Sequence, residues 1–430
     1  MQRRMFVKWI SVLIIVTFFQ TSVGFAEYQE KVENVIFMIP DGFSTSYATN
    51  YRIFKGDNIS FDSLLVGMMK TNSANSWVTD SAAAATAMAT GVKTNNRMIG
   101  VSPKGQELKT ILEASKEAGK STGLVTTVSI TDATPAAFGA HVQSRKSEYD
   151  IAKQLVGKVD VLLGGGRSRF TPRSTEDENV IEIALSEGYR YMDNRKKLLN
   201  DSETGTRVLG LFAEEELTPV VDLQTDDQPS LAEMATEALR VLEKNEEGFF
   251  LMIESGQIDR AGHVHDPVWA MNEIKAFEEA VNKVLEFARQ DQKTLVVIAG
   301  DHDTGGMSVG GYNEYVANIE LVKEAKATGN KIASMLNKRR SNAKELVKQY
   351  SGITLTKKEE KEIKKAKKKE VAIVLNDIIS KRAYVGWNTH VHSGVDVPIY
   401  AYGPASQNFR GHLDNTDLPK KIAEALEITF

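Results

Sequence analysis

Ser81 stands in the stretch "VTDSAAAATAMATG", directly after Asp80 and ahead of a run of small residues. A serine hydroxyl is a poor nucleophile at neutral pH until a base or a metal draws off its proton. Two readings are open for this stretch. Thr79, Asp80 or Ser81 caps a helix whose alanines serve tight packing. Alternatively, Ser81 is a nucleophile at a helix N-terminus, where free backbone N–H groups can hold an anion. Small residues behind it would let that anion approach the backbone.

The groups that could activate such a serine are spread along the chain. Asp41, Asp132, Glu254 and Asp301 each follow a short apolar run. One acid at a strand end is an ordinary solvated turn residue. Four on one edge of a sheet would repel one another unless cations sat among them. Five of the seven histidines, His263, His265, His302, His390 and His392, fall in the polar clusters "IESGQIDRAGHVHD", "GDHDTGG" and "NTHVHSG". Asp259 and His263 are four apart, so on a helical turn they face the same way. Asp301 and His302 are adjacent at a strand end and can turn onto one ion. Histidine and aspartate together, with no cysteine in the chain, suit zinc in a nitrogen and oxygen site. In "TDATPAAFGAHVQSRK", Thr134 offers a hydroxyl to a hard cation, and Arg145 is a planar fork that matches a phosphate or, equally, a surface ion pair.

These residues need a scaffold. The runs "NVIFMI" (34–39), "TGLVTTVS" (122–129), "VDVLLGGG" (159–166), "GFFLMI" (248–253), "TLVVIAG" (294–300) and "VPIYAYG" (397–403) read as buried strands. Helical patterns such as 230–245 and 270–290 alternate with them. The alternation predicts an α/β fold: a central, mostly parallel sheet with helices on both faces. Sites in such sheets form at the carboxyl ends of the strands. Residues 167–229 are polar and irregular and read as a cap or connection on the same sheet. The stretch 312–383 reads as a helical insertion or crown near the site. It holds a capping box at Thr356 and Glu359 and six lysines between 361 and 369. Such a run is an ordinary solvated face, or a basic surface that steers anions.

The whole chain of 430 residues is 42% hydrophobic, with material for a large core. Its net charge of −4 argues against a specific nucleic-acid or membrane-surface partner. At the start, Arg3, Arg4 and Lys8 precede an apolar run and then "TSVGFAE". That pattern predicts a signal peptide over 1–26, cleaved after Ala26, and an exported protein. A retained anchor is the alternative. With no cysteine, thiolate metal sites and a cysteine nucleophile are excluded.

The stretches "NVIFMIPDG", "VTDSAAAATAMATGVKT", "TDATPAAFGAHVQSRK", "LGLFAEEEL", "FFLMIESGQIDRAGH", "VVIAGDHDTGG" and "HSG…IYAYGP" occur in consistent order. Together they resemble the bacterial alkaline phosphatases, metal-dependent phosphomonoesterases. The resemblance implies Ser81 as the nucleophile that forms a phosphoserine and Arg145 as the holder of the phosphoryl oxygens. It implies one zinc on Asp259, His263 and His392, and a second on Asp41, Asp301 and His302. It implies a magnesium near Asp41, Thr134 and Glu254, with Asp132 touching its waters. The catalytic domain is then 27–311 with 384–430, interrupted by the insertion 312–383. Two departures stand out. Pro40 replaces a glycine before Asp41. Arg260 replaces a lysine or histidine, and could pair with Asp132 or reach phosphate through water.

The expected activity is secreted hydrolysis of small phosphate monoesters for phosphate scavenging, with no stable membrane anchor after cleavage. A homodimer stays open. A phosphodiesterase on the same metal scaffold and a non-catalytic phosphate-binding protein are the alternatives. His265 and His390 are surface residues or donors behind the ligands, and His141 and His412 are structural.

Overall fold

The computed structural model describes residues 31–430, apart from 173, 175, 176, 204 and 224–226. The segment read as an export signal lies outside the described residues. Among the described residues no helix is long and apolar enough to cross a membrane.

Each apolar run becomes a strand. In chain order the strands are β1 (Asn34–Pro40), β2 (Leu65–Lys70), β3 (Ser121–Ser129), β4 (Val161–Gly165), β5 (Arg190–Met192), β6 (Val208–Leu211), β7 (Phe249–Ser255), β8 (Thr294–Ala299), the short pair β9 (Asp303–Thr304) and β10 (His392–Ser393), β11 (Val397–Tyr402) and β12 (Gly411–Asp414). Ten of them form one sheet in the order β12-β2-β11-β8-β1-β7-β3-β4-β6-β5. Only β11 runs against the rest. The sequence did not signal β2, β5, β6 or β12. β5, β6 and β12 are only three or four residues long, and β2, at six, is exposed or half-buried over most of its length, so none shows the long apolar run of a strand buried on both faces. β5 and β6 come from the polar segment 167–229, which therefore widens the same sheet.

The central strands alternate between two apolar layers. Val35, Phe37 and Ile39 of β1 pack with helices Ser81–Thr90, Ala133–Gly139 and Asp417–Leu426. Ile36 and Met38 face helices Leu231–Leu242 and Pro267–Asp291. Helices on both faces of a mostly parallel sheet are the architecture the pattern predicts.

Between 312 and 383 lie helices Gly329–Met335, Ala343–Ser351, Lys357–Lys365 and Val371–Arg382, with short 3₁₀ turns. Thr356 and Glu359 form their capping box. Ile332, Val347, Ile363 and Ile379 are buried in the same layer as Ile36. The apolar faces of this segment thus extend the core on one side of the sheet, and its lysines stay outside.

Strand direction sets the position of the polar residues. Asp41 follows β1, Glu254 is the penultimate residue of β7 and Asp259 lies just beyond that strand, and Asp301 follows β8. Asp132 follows β3. His392 precedes β11, and because β11 is antiparallel its start lies at the same edge as the other strands' ends. One edge of the sheet therefore gathers residues from 41 to 392.

Candidate active site

Ser81 is the first residue of its helix, and Asp80 is the cap. The Asp80 carboxylate accepts from Ala83 N–H at 3.1 Å. All ten residues of the helix are buried, and its alanines let it lie against Ala133–Gly139. The capping reading and the nucleophile reading are therefore compatible: one residue caps and the next presents its hydroxyl at the helix N-terminus. Ser81 Oγ lies 3.1 Å from His302 Nε2.

Around that point the acids and histidines form two groups. Asp41, Asp301 and His302 bring ligand atoms within 4.8 Å of one another, as do Asp259, His263 and His392. The tautomers follow from the surrounding hydrogen bonds. Thr304 Oγ1 donates to Asp259 Oδ1 at 2.5 Å, so its 3.3 Å contact with His302 Nδ1 requires the histidine to be the donor there. That leaves the His302 Nε2 lone pair facing Ser81 and the carboxylates. His263 Nδ1 donates to the His390 carbonyl at 2.7 Å, and His392 Nδ1 donates to the Thr79 carbonyl at 2.8 Å. Their Nε2 atoms are 3.3 Å apart, and each is 3.4 Å from Asp259 Oδ1. Such a convergence needs positive charge at its centre, as a proton or a metal ion.

The other group makes the same demand more sharply. His302 Nε2 is 3.1 Å from Asp301 Oδ2 and 3.6 Å from Asp41 Oδ1. Yet both oxygens are buried and accept no hydrogen bond. Burial, then the charges of Asp301, Asp259 and Glu254, push the Asp41 carboxyl well up. Burial, with neighbouring acids, takes Asp301 to about 6 and Glu254 to about 8. Burial, aided by His392, holds His302 neutral. Asp259 goes the other way: burial works to raise it, and the imidazoles of His263 and His392 more than offset that. A nest of carboxylates that oppose one another's charge, with orphaned oxygens and inward-facing imidazole lone pairs, fits divalent cations. Thr134 Oγ1 donates to Asp41 at 3.3 Å, and Thr126 Oγ1 holds Glu254 at 2.5 Å.

Gly42 makes the close approach of β1 to this nest. It has φ +78°, and a Cβ there would fall 2.8 Å from Thr304 Oγ1 and 2.9 Å from Asp259 Cα. Any side chain would push the exit of β1 away from both partners.

Arg145 and Arg260 flank this nest, and Arg260 reaches Asp259 Oδ2 at 3.4 Å. Arg145 reaches Asp132 Oδ1 at 2.7 Å and Asp80 Oδ2 at 3.3 Å. Arg260 pairs with Asp132, and with Glu216 at 2.7 Å. Burial would raise Asp132, but the two guanidiniums hold it at about 2. Of the two roles open to Arg260, the pairing with Asp132 is the one seen.

Every residue singled out for the site comes to this edge. Four partners were missed: Thr304, Thr126, Glu216 and the Asp80 side chain as a brace for Arg145. Thr304 lies two residues past His302, and alternation along an extended segment is the signal that could have found it. His390 meets His263 through its backbone carbonyl, which no side-chain pattern reveals. His265 is buried and stacks on His390 and Trp387, with ring centroids 3.8 and 5.0 Å away. His141 bridges Glu113 and the Gly100 carbonyl, and His412 pairs with Asp396 at the surface.

The chain matches the family model "Alkaline phosphatase" over residues 32–428. It is 43% identical to alkaline phosphatase 3 of Bacillus subtilis, across 93% of this chain and 90% of that protein. The crystal structure of a cold-active alkaline phosphatase from Shewanella sp. superposes with a TM-score of 0.85 at 36% identity, covering 91% of this chain and 99% of that one. The TAB5 alkaline phosphatase, in a variant structure with Mg bound in its M3 site, gives 0.72 at 25% identity, covering 94% and 100%. The chain therefore belongs to the alkaline phosphatase family and is a phosphatase, a hydrolase of phosphate monoesters.

Proposed function

We propose that the chain cleaves small phosphate monoesters through a phosphoserine on Ser81, after export, to release phosphate for uptake. The observation that carries this reading is the position of Ser81 Oγ. It lies at a helix N-terminus, 3.1 Å from His302 Nε2, beside carboxylate oxygens that have no hydrogen-bond partner. The residues fit two zinc ions, one on Asp259, His263 and His392 and one on Asp41, Asp301 and His302. They fit a magnesium at Asp41, Thr134 and Glu254, with Asp132 on its waters; magnesium favours oxygen donors and keeps several waters. A variant of the TAB5 relative binds Mg in its M3 site, which supports a magnesium position in this fold. When bound, such ions lower the pKa of hydroxyl and water and offset charge on attacking and leaving oxygens.

The chain's own residues do the rest. The Arg145 fork, braced by Asp80 and Asp132, takes two phosphoryl oxygens in bidentate fashion. That orients phosphorus toward Ser81 Oγ. The serine oxygen bonds to phosphorus, and the bond to the alcohol oxygen breaks on the far side. Water then displaces the Ser81 oxygen from the same phosphorus, a proton from that water restores the Ser81 hydroxyl, and phosphate leaves the Arg145 fork. Arg260, held by Glu216, keeps Asp132 ionised throughout.

On this reading the catalytic domain is 27–311 with 384–430, and 312–383 is a helical insertion. The test is hydrolysis of an aryl phosphate monoester against the matching diester, from neutral to strongly alkaline pH. It is run with and without a chelator and then with zinc and magnesium restored. Fast monoester turnover lost to chelation and rescued by the metals is expected. A diester preference moves the assignment to phosphodiesterase, and metal binding without turnover moves it to phosphate capture.

A further inference from the structure

Two roles are open to Arg260, a pairing with Asp132 or a reach toward phosphate, and only the first is seen. A third residue accounts for that choice. Arg145, Asp132 and Arg260 form a row of alternating charge that ends on Glu216. Asp132 Oδ1 accepts from Arg145 at 2.7 Å, and its Oδ2 accepts from Arg260. On its other side Arg260 donates Nε–H to Glu216 Oε1 at 2.7 Å, and its Nη2 lies 2.7 Å from the same oxygen. Its Nη1 reaches Asp259 Oδ2 at 3.4 Å. Of these three acids, Asp259 belongs to the nest and Asp132 braces the fork. Among the described residues, Glu216 has an ion pair with Arg260 alone.

The place of Glu216 is set by backbone and not by Arg260. Leu217 N–H donates to the Thr127 carbonyl at 3.1 Å, and the Glu215 carbonyl accepts from Gly166 N–H at 2.6 Å. A Cβ on Gly165 would fall 2.2 Å from that carbonyl, so the glycines that end β4 permit the contact. Glu216 is thus a fixed carboxylate to which the longer arginine comes.

We propose that Glu216 is a positioning residue that holds Arg260 back from phosphate and so sets how tightly released phosphate is kept. A guanidinium matches phosphate as well as it matches a carboxylate. Arg260 shares Asp132 with the Arg145 fork, so it stands one carboxylate away from the phosphoryl oxygens. Glu216 engages its Nε and Nη2 and offsets its charge. Without Glu216, that edge of the guanidinium is free to turn, and an unbalanced positive charge lies beside a dianion. This rests on the monoesterase reading.

The test measures inhibition of the metal-loaded enzyme by inorganic phosphate, with kcat and KM on an aryl monophosphate. It uses wild type, Glu216→Gln, Arg260→Gln and the double variant. Glutamine keeps the size of Glu216 and removes its charge, and a side chain 35% exposed tolerates that change. Glu216→Gln is expected to tighten phosphate inhibition about tenfold, the scale of one unbalanced charge at a partly solvated site. Substrate and product both gain the contact, so KM and kcat should fall together and kcat/KM should move by less than about threefold. A merely structural role would weaken phosphate binding instead. In the Arg260→Gln background the same change should shift the inhibition constant by less than about twofold. Glu216→Asp, which withdraws the carboxylate by one methylene, should tighten inhibition to a smaller degree and serves if Glu216→Gln melts early. Unchanged or weaker inhibition in both Glu216 variants overturns the proposal, as does equal tightening with Arg260 absent. Failure of wild type to cleave the aryl ester overturns instead the reading beneath it.

Discussion

Asp301 and Lys367 are both charged, yet they sit in opposite physical situations. Asp301 is fully buried, with an oxygen that accepts no hydrogen bond. Lys367 and the five other lysines of 361–369 are exposed. Where they meet acids they meet neighbours on their own segment: Lys364 with Glu360 at 3.8 Å and Lys367 with Glu370 at 3.6 Å. Desolvating a charge is expensive and solvating one is not. The strand-end acids are therefore informative and the lysine run is not. Buried Asp266 and Glu273 are met by backbone N–H groups, whereas Asp41 and Asp301 keep oxygens with no donor, and that difference marks the nest as a place for a cation.

The sharpest way to break this contrast is at Ser81. Ser81→Ala is expected to lower kcat at least ~10³-fold while zinc and magnesium content, measured on the purified protein, stays near wild type. Loss of metal together with activity would make Ser81 a structural residue of the nest.

Thr304→Ala comes next. Its hydroxyl fixes Asp259 and the tautomer of His302, so metal affinity should fall about 10–100-fold, read as the rate of zinc loss to a chelator. Arg145→Ala should weaken phosphate inhibition about tenfold or more, with metal content unchanged. An unaltered inhibition constant would remove it from the phosphate site.

The exposed region should respond far less. Exchanging the six lysines for glutamine is expected to change kcat/KM by no more than about twofold at low salt and not at all at high salt. A large, salt-independent loss would mean that the segment contributes more than a solvated face.

The smallest effect concerns a structural pair. Both ring nitrogens of His141 face acceptors, Gly100 O at 2.8 Å and Glu113 Oε1 at 2.9 Å, so the ring is held protonated. Burial works to lower its pKa, and the bonds to Glu113 and Gly100 more than offset it. A raised folded-state pKa stabilises below the unfolded value, near 6.5, and that stability is lost as pH rises through the folded value. Glu113 is the mirror case: burial raises it, and His141 and Lys158 bring it to about 2. Its contribution holds above its ordinary range and is lost as pH falls toward that value. His141→Gln should therefore lower Tm most below neutrality, by about 2 °C or less, with the gap closing at alkaline pH. A gap that widens with pH would reverse the assignment.

Much of the fold was legible because the central strands are buried on both faces and read as continuous apolar runs. The marginal strands β2, β5, β6 and β12 were not, because pairing with a neighbour holds them there more than their own pattern does. The ligand candidates were legible as acids at strand ends. What the residues alone could not supply was the full grouping, since which of Asp41, Asp259 and Asp301 share a histidine depends on strand order. Spacing alone paired Asp259 with His263 and Asp301 with His302; only the family resemblance added His392 to the first pair and Asp41 to the second in advance. The braces around them escaped for a simpler reason. Thr79 and His390 act through backbone carbonyls, and Glu216 braces Arg260, 44 positions away in the chain.

The central claim is that Ser81 carries the phosphoryl group between substrate and water. The most direct measurement is mass spectrometry of enzyme quenched in acid during turnover of an aryl phosphate. The account predicts phosphate on the peptide that contains Ser81, and none on that peptide in Ser81→Ala. Turnover at full rate with that peptide unmodified, or with phosphate on another residue, would contradict it.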